Sequence, residues 1–205
     1  GVWKGDKGMD IAPEPDGTEE NPYYETFTIS EGGSLKNAQS QELAVLHYRR
    51  IVTRKKDDGV FHDETGYWLW DAREKVIIHS LSIPRAVSLL AGAHFDTEED
   101  SDGNLKIEVF ASIDNEDWQI IQSPFMKKNA RTISYLQQIT VGNGKMKYLE
   151  TTSEKTGYHC AKWMKDFYKE NKIARPIMFV HSMNPVGTEN IINFYLLLFK
   201  AIFKR

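Results

Sequence analysis

From residue 2 to residue 152 the chain is a succession of short runs in which side chains alternate with a period of two, broken by turn chemistry at close intervals. Tyr23, Glu25, Phe27 and Ile29 share one strand face, and Tyr24, Thr26 and Thr28 share the other. Residues 43–53 form a long strand candidate. Lys55-Lys56-Asp57-Asp58-Gly59 then supplies a turn before residues 60–70 return. A turn over 71–74 leads into strands over 75–83 and 85–95. An acidic loop over 97–102, closed by Gly103-Asn104, precedes a strand over 105–113 and a short one over 118–122. Gly142-Asn143-Gly144 is a hairpin signal between strands over 131–141 and 145–152. With residues 2–7 at the start, this makes about ten strands. No heptads and no helix–strand alternation interrupt them, which argues against a parallel α/β enzyme. The expectation is an all-β chain, an up-and-down antiparallel β-barrel of about ten strands whose closure leaves no open edge. Such a barrel can enclose one small ligand. A filled barrel or sandwich without a cavity is the alternative the pattern leaves open.

Beyond residue 152 the pattern changes. The expected division is a barrel over 1–152 and a partly helical extension over 153–205, packed on the barrel or closing it. Trp163, Met164, Phe167 and Tyr168 give residues 161–171 one apolar helical face. Residues 191–203 are intensely apolar but too short to span a membrane comfortably. They read as a closing strand or a packed helix, or less simply as an amphipathic membrane contact through Lys200, Lys204 and Arg205.

Charge and cysteine content narrow the partners. The 205 residues carry 26 basic and 29 acidic side chains, a net charge of −3, without the basic surplus of a nucleic-acid binder. The single cysteine, Cys160, excludes an internal disulfide and a cysteine-based zinc cluster, and fits a reducing, cytoplasmic setting. The start has no signal-peptide pattern, and Gly1-Val2-Trp3 reads like the inside of a strand, as if residues preceded it.

No G-x-S-x-G, P-loop, H-E-x-x-H or dinucleotide fingerprint is present. Carboxylates cluster in loops, where solvation accounts for them. The six histidines are His47, His62, His79, His94, His159 and His181. His47, His62 and His79 fall inside strand candidates, where each needs a hydrogen-bond partner or a ligand. His79 is in phase with Ile77, Leu81 and Ile83, an apolar face. A core histidine bonded to a neighbour explains it as well as a ligand does. His62 precedes Asp63-Glu64 near a strand start, which also suits a solvent-facing rim.

Several motifs in order resemble one family. Gly1-Val2-Trp3-Lys4-Gly5 followed by Gly8 resembles the G-x-W-x-G-x-G opening of nitrobindin-type proteins, heme-binding β-barrels with a lipocalin-like or fatty-acid-binding-protein-like shape. Phe61-His62-Asp63-Glu64-Thr65-Gly66-Tyr67-Trp68 is similar to that family's H-x-E-[ST]-G-Y segment. The likeness runs through Ile83-Pro84-Arg85-Ala86-Val87 and Leu90-Ala91-Gly92. Gln122-Ser123-Pro124-Phe125-Met126 and Tyr148-Leu149-Glu150-Thr151-Thr152 resemble the longer bacterial members. The resemblance implies a small-molecule ligand, heme b as cofactor, and a histidine that ligates the iron. Spacing in the compact members puts that ligand at His159. The F-x-H-[ST] pattern of the longer members puts it at His181, in Phe179-Val180-His181-Ser182. The same matching places Phe61, His62 and His79 at pocket positions. The implied chemistry is nitric oxide binding and isomerisation of peroxynitrite to nitrate at ferric heme. The alternatives are a non-enzymatic carrier of a small apolar ligand, or a module that binds a partner through its apolar C-terminus.

Overall fold

The structure, a computed structural model, describes residues 1–14, 17–96, 98–156 and 177–185. The chain forms β1 (Val2–Glu14), β2 (Gly17–Asn37), β3 (Gln41–Arg54), β4 (Val60–Asp71), β5 (Val76–Ile83), β6 (Val87–His94), β7 (Leu105–Ser112), β8 (Ile120–Gln122), the short helix α1 (Pro124–Asn129), β9 (Ala130–Gly142), β10 (Lys145–Thr156) and β11 (Ile177–Pro185). Neighbours pair antiparallel in the order β5-β4-β3-β2-β1-β11-β10-β9-β7-β6, and β5 pairs again with β6, so the sheet returns on itself. β8 adds alongside β6. The expected all-β antiparallel barrel is the fold. The expected helix over 161–171 and the apolar segment over 191–203 lie outside the described residues.

Local chemistry sets the strand ends. Asn143 and Gly144 both take positive φ, 52° and 67°, as a two-residue hairpin loop that matches strand twist requires. A bulge interrupts β2 between Glu31 and Gly33. A Cβ on Gly32 would meet Val45 Cγ1 at 2.7 Å. Beside the bulge β3 changes phase, with Val45 and Leu46 both buried before the alternation resumes at Tyr48, Arg50 and Val52.

Two features depart from the period-two reading. α1 follows Ser123, whose hydroxyl accepts from the Met126 amide at 3.2 Å, with Pro124 in the first turn. This is a Ser-Pro helix start that strand periodicity does not register. Second, β11 enters the ring between β1 and β10, so residues 177–185 are barrel wall. Trp3, 1% exposed, lies in register with Phe27 on one side and Pro185 on the other, where β1 meets β11.

The thinnest seam is between β6 and β7, which share one register pair, Gly92 with Phe110. The loop before β8 fills it. Ser112 donates its amide to the Trp118 carbonyl and Leu90 to the Gln119 carbonyl, each at 2.9 Å. The Trp118 ring covers Gly92 so closely that a Cβ there would sit 2.5 Å from it. Gly92→Val should displace this indole, cost about 1–3 kcal/mol as overpacking does, and make Trp118 more accessible to acrylamide quenching. Unchanged stability and quenching would show that the indole does not seal the seam.

Candidate functional site

The alternation that builds the barrel also aims charged side chains into it. Glu25 shares the inward face of β2 with Tyr23 and Phe27, Arg50 that of β3 with Tyr48 and Val52, and Glu64 that of β4 with Trp68 and Trp70. His79 lies on the inward face of β5, Tyr135 and Gln137 on that of β9, and Tyr148 and Glu150 on that of β10. All are buried.

They meet around Arg50. Its Nη2 donates to Glu64 Oε2 at 2.9 Å, its Nη1 lies 2.8 Å from Glu150 Oε2, and its Nε lies 3.6 Å from Glu25 Oε1. The guanidinium also sits over the Tyr148 ring, 5.3 Å from its centroid. Tyr148 donates its hydroxyl proton to Glu25 Oε1 at 2.6 Å, and Gln137 Nε2 donates to Glu150 Oε2 at 3.2 Å. One buried cation thus faces three carboxylates. Were all three ionised, the cluster would hold uncompensated buried charge, which is strongly unfavourable. The carboxylates resolve this unequally. Burial pushes both upward. For Glu64 the charge of Arg50 and the His62 hydrogen bond overcome burial and bring its pKa to about 2. For Glu150 burial wins over Arg50, reinforced by the charge of Glu64, so its pKa is raised.

A second branch leaves Glu64. Tyr48 donates to Glu64 Oε1 at 2.9 Å, and the same hydroxyl lies 2.7 Å from His79 Nε2. His79 is stacked on Trp68 at 4.0 Å, and burial lowers its pKa to about 3 despite the pull of Glu64, so the ring is neutral near pH 7. At the other end His62 Nε2 lies 2.9 Å from Glu64 Oε2 and 3.0 Å from Arg50 Nη2. That nitrogen accepts from Arg50 when it carries no hydrogen and donates to Glu64 when it carries one, but cannot do both.

The sequence-derived site residues are distributed accordingly. His62 and His79 are joined through Glu64 and Tyr48. Phe61 packs edge-on to Tyr23, ring centroids 6.2 Å apart, and against the core. It does so beside His62 because β4 carries an extra residue between the pairs Val52–His62 and Thr53–Val60. His47 lies on the outer surface, its Nε2 3.0 Å from Thr65 Oγ1. His181 lies in β11 at the register position opposite Tyr148. His159 lies outside the described residues. Arg50, Glu25, Glu64 and Glu150 were not singled out, and the reading of carboxylates as loop residues missed the three inside the barrel. The available signal was phase, since each carries charge in step with a strand's apolar face. Among the described residues no cluster of His, Cys, Asp and Glu side chains could by itself hold a metal ion. No helix among them is long and apolar enough to cross a membrane.

Two outcomes test this electrostatic account. Arg50→Met leaves the carboxylates unpaired and should cost about 3–5 kcal/mol at pH 7, with a smaller loss near pH 4, where they accept protons. Equal losses at both pH values would contradict it. For His79, the folded state takes up its proton only near pH 3 and the unfolded chain near 6.5. Its contribution is therefore full above pH 6.5 and lost as pH falls toward 3. Denaturant titrations should show stability decreasing by roughly 3 kcal/mol between pH 7 and pH 4 from this group, a slope that His79→Gln flattens.

Comparison with known proteins agrees with this architecture. A model of the family described as "THAP4-like, heme-binding beta-barrel domain" matches residues 1–169. Among solved structures, the crystal structure of Rv2717c from M. tuberculosis shares the fold, with a TM-score of 0.60 at 13% identity over 91% of this chain and 92% of that one. No curated protein matches the chain. The chain belongs to the THAP4-like, heme-binding β-barrel family.

Proposed function

Given that membership, we propose that the chain binds heme b in its barrel, with His159 as the residue that would hold the iron and His181 as the alternative. Phe61, His62 and His79 line the pocket in this reading. The observation that carries it is the His79 ring, a neutral imidazole enclosed by Trp68, Tyr48 and Tyr135, with Nδ1 buried and bonded to no described group. Neutral imidazole and aromatic walls are what a porphyrin site uses, so these residues fit the group.

Heme, when bound, would supply iron chemistry toward a diatomic molecule or peroxynitrite. We assign it nitric oxide binding and isomerisation of peroxynitrite to nitrate, in a cytoplasmic setting. The chain's own contribution is enclosure and polarity. Trp68 fixes the plane of His79, Tyr48 fixes its rotation, and Glu64 holds Tyr48. The charged cluster runs against the alternative of an apolar-ligand carrier, since an apolar molecule gains nothing from three buried carboxylates.

Titration of the purified chain with ferric heme should give a saturable, histidine-ligated Soret band and faster nitrate formation from peroxynitrite. His159→Ala should abolish that ligated spectrum while His181→Ala retains it. Loss only in His181→Ala would move the ligand to β11. Absence of a Soret band in the unsubstituted chain would overturn the whole reading.

A further inference from the structure

The hydrogen bonds around Tyr48 determine where the protons lie on His79. Glu64 is held ionised, so its carboxylate can only accept, and the Tyr48 proton goes to it at 2.9 Å. A hydroxyl has one proton. The 2.7 Å contact between the Tyr48 oxygen and His79 Nε2 therefore has the imidazole as donor. A neutral ring with its proton on Nε2 presents a lone pair on Nδ1. That nitrogen is buried and has no hydrogen-bond partner among the described residues.

The neighbouring ring carries the complementary group. Tyr135, 3% exposed, lies with its ring centroid 6.1 Å from that of His79, and its hydroxyl likewise has no partner among the described residues. Gln137, two positions along the same face of β9, gives its amide hydrogen to Glu150, and its Oε1 is also unpartnered. Three buried polar atoms from two strands thus go unmatched in one part of the interior. Each such atom is costly if left so, and unmatched groups of this kind are rare in folded proteins.

We propose that His79 and Tyr135 form a binding site for one small, neutral, protic molecule, which donates an O–H or N–H to His79 Nδ1 and accepts the hydroxyl proton of Tyr135. A water molecule satisfies the pattern at rest, and a ligand bearing both a donor and an acceptor replaces it. At this pair of atoms a neutral molecule is favoured over an anion. An anion without a proton offers nothing to the Nδ1 lone pair. It would also meet the charge of Glu64, which acts on the Tyr135 hydroxyl. The positive charge of Arg50 is already engaged by Glu25, Glu64 and Glu150. The site shares the His79 ring with the heme reading; it is tested without heme, so that failure of either is told apart from failure of the other.

The experiment uses the full chain labelled with ¹⁵N-histidine, without added heme, and His79 assigned from the resonances lost in His79→Gln. The long-range proton–nitrogen spectrum should show the proton on Nε2. Formamide, which has an N–H and a carbonyl, should shift the Nδ1 resonance saturably. Formate, of the same size but anionic, should not. Tyr135→Phe should raise the formamide concentration at half-saturation about tenfold, the loss of one hydrogen bond. The contrast between the two probes is read on the unsubstituted chain and stands even if Tyr135→Phe does not fold. A proton on Nδ1, no saturable shift with formamide, an equal shift with formate, or an unchanged response in folded Tyr135→Phe would each overturn the proposal.

Discussion

Among the described residues Arg50 is the only cation inside a barrel wall that presents three carboxylates to it, and the arrangement of the interior follows from that imbalance. Its guanidinium is planar and has five donors. It can therefore address Glu64, Glu150 and Glu25 on three different strands at once. Those contacts tie β2, β4 and β10 to β3 from within, in addition to the backbone ladders around the wall. A buried ion cluster of this kind adds little net stability over a well-packed apolar core, because desolvation consumes most of the attraction. Its effect is on specificity. With the guanidinium fixed, each carboxylate has one orientation, and the tyrosines, the glutamine and the histidine that bond to those carboxylates inherit it.

Two levels of order therefore coexist. The first is the repeated backbone pairing, which tolerates bulges at Gly32 and Phe61 and a single-pair seam at Gly92. The second is a polar network whose members depend on one another's proton positions. Glu64 fixes Tyr48, Tyr48 fixes His79, and Trp68 holds the plane of that ring. The reactive potential of the interior lies in the second level.

The barrel was legible because a period of two and turn residues such as Asn143-Gly144 are local signals, and each strand carries its own. The placement of Glu25 beside Tyr23, Phe27 and Ile29 was equally visible, but its meaning was not. A glutamate in an apolar phase becomes interpretable only when its partner is known, and Arg50 is brought to it by a strand pairing rather than by proximity in sequence. His79 was identified by the same phase argument, while the direction of its free lone pair needed Tyr48 and Glu64. α1 was missed because its signal is a cap at Ser123-Pro124 and not a periodicity. β11 was not recognised as wall because residues 177–185 follow a long stretch with no strand pattern.

The position of β11 has a consequence for synthesis of the chain. Along its N-terminal side the barrel grows by consecutive hairpins, each able to form as it leaves the ribosome. β1 pairs with β2 on one edge, but its other edge waits for β11, and so does the free edge of β10. Until residue 185 has been translated, the nascent protein holds an almost complete sheet with two unsatisfied borders. Open borders of this kind recruit strands from other chains. Closure therefore cannot precede translation of β11. A polypeptide stalled or truncated before β11 would present an aggregation-prone sheet to the cell's chaperones, with the indole of Trp3 lying along the open border.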